Sequence, residues 1–483
     1  MKRKHRMHIF AALIVCVIMA VSVMPALAAE LKLDKKELTL KVPNSLVYDA
    51  ENYKVLEVKG TTAKPTWKSS NENIAVVKAS SGTTGKVWPK SEGICDVTAT
   101  VEGKTLTCKV IVVSENNGMK VPKKSKIPKI PSYPKSGVKE YTFTDTVING
   151  EKKDGIFAWS VCSTDEPKII HLRGKIYLNV EGVDRVMKIG SNTVIDAAGA
   201  TITTSKGVIM TNLEGGISQG KGNYDAAKNI WILGGTWGYE GGKLNTTSSL
   251  FQFAHCSGLV FKDMTINANY KAHALEIIAC KDVWIDSCKI LGLEVRSASK
   301  REEQIQIDVA NKKTAPNLKN NVNGHACENI YIKNNKVTGE RAVCVNYDKA
   351  KKADYHKNII IQGNELVGDT AEALMVANTV GLDIEGNTVT SNSKKIKDAE
   401  SIGLHVVVEK WNAPAEMASS WTIIRNNTAK GGRQAIMAWP NVGKFGSIAV
   451  VNNKCFCKAG VDDGVKVGVG DKRKIAGNEV KKW

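Results

Sequence analysis

Residues 358–366 read NIIIQGNEL and residues 381–389 read GLDIEGNTV. Each places aliphatic or β-branched side chains at every second position, breaks at a glycine and an asparagine, and restarts as a second short strand. The phrase recurs as NIWILGGTW from 229, GLVFKDMTI from 258, DVWIDSCKI from 282, NIYIKNNKV from 329, SWTIIRNNT from 420 and SIAVVNNKC from 447. Its steps are 29, 24, 47, 29, 23, 39 and 27 residues. One strand-turn-strand unit restated at this period is a solenoid, and the lack of helical periodicity excludes leucine-rich and helical arrays. Three short strands and three turns per coil describe an all-β fold, a right-handed parallel β-helix, with the longer steps being coils that carry loops. Asn335, Asn364, Asn387, Asn427 and Asn453 recur at one place in the phrase, with Asn334, Asn426 and Asn452 beside them. Asparagine tolerates the left-handed turn and its amide can bond from coil to coil, so this ladder is structural.

A second strand precedes each phrase. Its clearest instance is EQIQIDVAN, residues 303–311, whose alternation puts two amides and a carboxylate on one face. Counting back from each phrase stacks Gln252, Glu276, Gln306, Cys344, Met375, His405 and Met437 into one outward column, and Ala254, Ile278, Asp308, Asn346, Ala377, Val407 and Trp439 into the next. Glu276, Gln306 and Asp308 then form a compact acid-amide patch. Paired carboxylates serve as acid and base in glycoside hydrolysis, or hold a calcium ion that neutralises a uronate during β-elimination. Glu276 and Asp308 are therefore candidate catalytic residues and candidate calcium ligands, with no other cofactor implied. His273, just before the Glu276 strand, is a candidate proton-transfer group, and so is His405 in the outward column. The flanking loops add Gln304, Arg301, Lys410, Trp411, Arg433 and Trp439: cations for carboxylated sugars, tryptophans for stacking on rings. A desolvated Lys410 or Arg301 would serve as the base of a lyase.

Residues 190–480 resemble the pectate-lyase-like right-handed parallel β-helix superfamily. IGSNTVIDAAGATITTS, residues 189–205, is similar to the first coil after the N-terminal cap of those proteins, and DVWID at 282–286 resembles a pectate-lyase signature, although Ser287 stands where that signature continues with histidine. The resemblance implies a carbohydrate-active protein. Polygalacturonase-like members use clustered aspartates, and the one Asp-Asp pair, Asp462–Asp463, lacks their surrounding pattern. The expectation is a polysaccharide lyase on an acidic polysaccharide, ahead of a glycoside hydrolase, with a non-catalytic glycan-binding surface protein as the competing class.

The chain begins with a basic stretch, an apolar run from Ile9 to Met24 and small residues at Ala26 and Ala28, the pattern of a secretory signal over residues 1–28. A secreted protein without a later membrane span is expected. The full chain carries a formal charge of +20; its 68 Lys and Arg include four before the cut, leaving 64 against 48 acidic residues, a net +16. That balance suits acidic polysaccharide or wall glycan, and no nucleic-acid motif accompanies it. Ten irregularly spaced cysteines follow the cut without a CxxC pair, which argues against zinc and permits disulfides.

Residues 31–113 alternate as short strands broken by turns. Trp67, Ser69-Ser70-Asn71, Ile74-Ala75-Val77, Gly85-Lys86-Val87, Gly93 and the strand ending Val110–Val113 resemble the bacterial immunoglobulin-like group 2 domain, which implies a β-sandwich spacer or adhesion module. Residues 114–137, with four prolines and six lysines, read as a stiff solvated linker. The β-helix domain takes residues 138–483.

Overall fold

The computed structural model describes residues 30–42, 52–113, 119–123, 126–133, 136–149, 164–179, 187–204, 210–212, 222–239, 249–268, 273–292, 302–312, 322–348, 353–410, 414–458 and 464–483. The signal segment 1–28, Arg301, Trp411 and Asp462–Asp463 lie outside them. The chain divides into two compact units, one made of residues from the first 112 and the other holding Val113–Trp483.

The smaller unit contains two four-stranded sheets. Antiparallel pairing joins Lys54–Lys59 to Thr84–Pro89 and Thr66–Ser69 to Gly93–Val101. Apolar residues at alternate positions, such as Val58, Val87, Ala99 and Val101, are buried. Trp67 crosses between the sheets onto Gly85, where a Cβ would stand 2.6 Å from the indole, so only glycine fits. Cys95 and Cys108 are free buried thiols.

The larger unit is the solenoid. Every strand of a repeat phrase pairs in parallel with its counterpart one coil on: Ile330 with Ile359, Ile359 with Leu382, and Val337 with Leu366. The strands preceding the phrases form a separate ten-stranded sheet. Leu275, Ile305, Val343, Leu374, Leu404 and Ile436 stack within it and join one core with Ile285, Ile332, Ile361 and Ile384. The parallel ladder starts earlier than the phrase suggests: Lys139–Asn149 pairs with Lys168–Asn179, which pairs with Thr193–Asp196 and Thr201–Thr204. Those first strands lack the glycine-asparagine break, so periodicity misses them.

The asparagine ladder is present and longer than expected, because Asn478 extends it. Each Nδ2 donates to the next Oδ1 at 2.9 to 3.0 Å from Asn335 through Asn453, and each Oδ1 from Asn364 through Asn478 also accepts the preceding asparagine's backbone N–H. The left-handed conformation belongs to the residue before the ladder: Ser287, Asn334, Gly363, Gly386, Asn426, Asn452 and Gly477 all have φ near +60°. Two adjacent positions thus divide the work, one turning the chain and the other binding the coils.

Residues 119–123 and 126–133 do not stand off in solvent as a linker. They lie along the outer side of the phrase strands as a strap. Arg425 donates to the Pro122 carbonyl, Asn358 to that of Lys126, and Trp231 to that of Ser132, while Tyr133 meets Trp231 edge-on at 5.2 Å between centroids. Val260, Ile360 and Ile423, on the outward side of the same strands, are buried although they point away from the core.

Candidate functional site

Coil stacking places the first outward column as read from sequence. Gln252 pairs with Glu276, Glu276 with Gln306, Gln306 with Cys344, Cys344 with Met375, Met375 with His405, and His405 with Met437. In the second, Ile278 pairs with Asp308, and Val407 with Trp439. The patch itself is buried, not open: Glu276 is 3% exposed and Asp308 0%. Ala226 and Val322 pack over Ala254, Ile278 and Ala310, and the Tyr224 hydroxyl ties the two covering segments by donating to the Ala326 carbonyl.

Nor do the two carboxylates work as a pair. Glu276 accepts from the Ser249 hydroxyl at 2.6 Å and from Gln252 Nε2 at 2.5 Å; Asp308 accepts from Gln306 Nε2 at 3.0 Å and from the Val309 N–H at 2.8 Å. They sit one strand apart and two residues out of register. Engaged donors around each do not make a calcium cage between them. Among the described residues, the three ligand atoms that converge belong to His273, Glu302 and Glu303. That imidazole-carboxylate set suits a transition metal better than calcium.

His273 opens a third column that the sequence reading missed. It runs along the strand starts: His273, Glu303, Arg341 and Glu372. His273 Nδ1 donates to the Glu303 carbonyl at 2.7 Å and lies 3.6 Å from its carboxylate. Arg341 bridges Glu303 and Glu372, with 2.7 Å to each. His405 Nδ1 closes the run 3.3 Å from Glu372. All these residues stand two positions before the inward leucine, isoleucine or valine of their strand, except His405, which stands one after. Counting back two residues would have exposed the alternation of charge.

The ladder fixes protonation. Burial would lower the affinity of His273 for its proton, but the Glu303 and Glu276 carboxylates and the Glu303 carbonyl outweigh it and raise its pKa. Burial would raise the Glu372 pKa, but Arg341 and His405 bring it down to about 2. Glu302, one residue from the ladder, keeps 32% of its side chain exposed and lies 3.9 Å from His273 Nε2. The arrangement is an imidazole of raised proton affinity and a water-reachable carboxylate at the edge of a rigid sheet, which suits proton transfer.

The remaining candidates are dispersed. Gln304 turns inward at the corner, where Cβ atoms on Gly292 and Gly339 would collide with its side chain; it is a packing residue. Asn346 closes a turn, accepting the Tyr347 N–H at 3.0 Å, and its carbonyl receives His356 Nε2 at 2.8 Å. Lys410 donates to the Ala353 carbonyl at 3.0 Å on the opposite edge of the sheet, and burial lowers its pKa. Arg433 is half-buried, its N–H bound to the Ser401 hydroxyl. Trp439 is half-buried with Lys466 Nζ 4.9 Å above its ring.

No protein-family model and no curated protein matches the chain. Among solved structures, it is similar to a mutant tailspike protein of E. coli bacteriophage HK620 in complex with a pentasaccharide, at 13% identity and a TM-score of 0.40, covering 68% of this chain and 58% of that one. It is also similar to the catalytic domain of a GH87 α-1,3-glucanase in complex with nigerose, at 10% identity and a TM-score of 0.31, covering 88% of this chain and 86% of that one.

Proposed function

We propose that the chain is an exported polysaccharide-cleaving β-helix protein. Its working edge is the start of the ten-stranded sheet, where His273 acts as the general acid and Glu302, 3.9 Å from its Nε2, relays its proton as one proton-transfer pair. The carrying observation is the ladder that places His273, its proton affinity raised by neighbouring carboxylates, beside a partly exposed carboxylate. Glu303 and Arg341 position the imidazole, and the buried Glu276 acts only through it, by favouring its proton. Hydrolysis fits this edge better than β-elimination, because among the described residues Arg341 is already shared by two carboxylates. Residues 31–113 serve as an immunoglobulin-like spacer in this reading, and residues 1–28 as the export signal. The test is reducing-end release from a panel of neutral and acidic polysaccharides, with His273→Gln and Glu302→Gln each lowering the rate by about a hundredfold or more. Activity unchanged in both variants would move the cleaving site away from this edge, and a parent that binds glycan without releasing ends would return the protein to the glycan-binding class.

A further inference from the structure

The strap carries a period that neither the phrase nor the ladder uses. Lys120, Lys123, Lys126 and Lys129 fall at intervals of three. Pro128 and Pro131 fall at the same interval, and so do Ile127, Ile130 and Tyr133. A polyproline II helix has three residues per turn, so each set occupies one line along it. The burial pattern agrees. Pro128 and Pro131 are buried, Ile127, Ile130 and Tyr133 are 49%, 50% and 36% exposed, and all four lysines are exposed.

The contact points give the pitch. Between the strands holding Asn358 and Trp231 lie four coil steps, about 19 Å at the spacing of paired strands. The strap crosses them with the six residues from Lys126 to Ser132, about 19 Å at polyproline II rise. The solenoid therefore holds residues 126–132 extended, with Lys126 and Lys129 about 9 Å apart and Lys120 and Lys123 preceding them at the same interval in sequence. Among the described residues no carboxylate pairs with any of the four, whereas Lys139, Lys333, Lys336 and Lys357 nearby in the same unit are paired.

We infer that the strap is a second glycan-binding site, a cationic rail for a linear polyuronate, separate from the cleaving edge. In a 1,4-linked uronate chain, same-side carboxylates recur every second sugar, a spacing of the same order as the lysine row. The exposed Ile127, Ile130 and Tyr133 line offers an apolar flank to the C–H faces of the rings. The charge complementarity is with a polymer, not a single sugar, because one lysine in water holds an anion weakly and a fixed row adds contacts without further ordering cost. This rests on the polysaccharide reading only for the polymer's chemistry. The neutral stretches of a mixed polymer would enter the carboxylate edge while its uronate stretches lie on the rail.

The test is affinity electrophoresis of the full chain through native gels containing polygalacturonate, dextran or inorganic polyphosphate. The wild type should be retarded by polygalacturonate and not by dextran. Lys123→Gln, Lys126→Gln and Lys129→Gln together should weaken retention at least about tenfold, whereas Lys64→Gln, Lys78→Gln and Lys104→Gln, equal in charge change, should leave it within about twofold. Pro128→Gly with Pro131→Gly keeps every charge and should also weaken it, by loosening the row. Retention unaltered by the strap lysines, or equal loss in both triple variants, overturns the rail; retardation by polyphosphate but not by polygalacturonate overturns the uronate assignment. Reducing-end release from short neutral oligosaccharides should be unchanged in the strap variant, so failure of the rail leaves the cleaving edge standing.

Discussion

His356 shows how a single residue in this fold is set by burial. Fully enclosed, it accepts the Cys327 N–H at its Nδ1 and donates from Nε2 to the Asn346 carbonyl. Burial brings its pKa down to about 4. A depressed histidine contributes stability that is present above its ordinary pKa, near 6.5, and is lost as pH falls toward 4. Between pH 7 and pH 5 the chain should lose about 2 kcal/mol through this residue. Urea unfolding at the two pH values measures it, and His356→Gln should flatten that slope while costing about 1–3 kcal/mol at pH 7, because the Cys327 N–H loses its acceptor. Glu372 acts in a lower window. Its contribution is full above the ordinary carboxylate range and fades as pH falls to about 2. The two groups can therefore be told apart by where the slope lies. His273 has the opposite sign, since a raised pKa gives stability below its ordinary value that is lost as pH rises through the raised one.

Among elements, the asparagine ladder and the charged ladder run parallel to the axis on different corners, and both join coils that sequence separates by tens of residues. Asn387→Ala would remove the acceptor of the Asn364 N–H and Nδ2 and the donor to the Ile361 carbonyl, all buried. We expect a loss of about 2–4 kcal/mol by denaturant titration, and a much smaller one for Thr388→Ala next to it, whose side chain is exposed. The asparagines were legible because their position in the phrase is fixed. The charged ladder was not, because Glu303, Arg341 and Glu372 precede the apolar triplets on which the alignment was anchored, and loops of unequal length separate them from the previous phrase. The strap was misread for a related reason: lysine and proline content describes a solvated linker equally well until the bonds from Arg425, Asn358 and Trp231 to its carbonyls show where it lies.

For the whole molecule, stacking at one spacing turned a one-dimensional pattern into a correct register, down to Glu276 opposite Gln306. What periodicity does not carry is cover. Tyr224 and Ala326 are 102 residues apart, and their segments meet over the predicted patch. Asp308 is fully buried beneath that side, while Glu302 at the opposite edge keeps 32% of its side chain exposed. The central claim is that a glycan is cut at that edge. A crystal structure of the Glu302→Gln variant soaked with an oligosaccharide released from the active panel member tests it most directly. Sugar rings should lie against the strand starts, with a glycosidic oxygen within hydrogen-bonding reach of His273 Nε2; rings bound only along the phrase strands, or on the Lys410 edge, would contradict cleavage there.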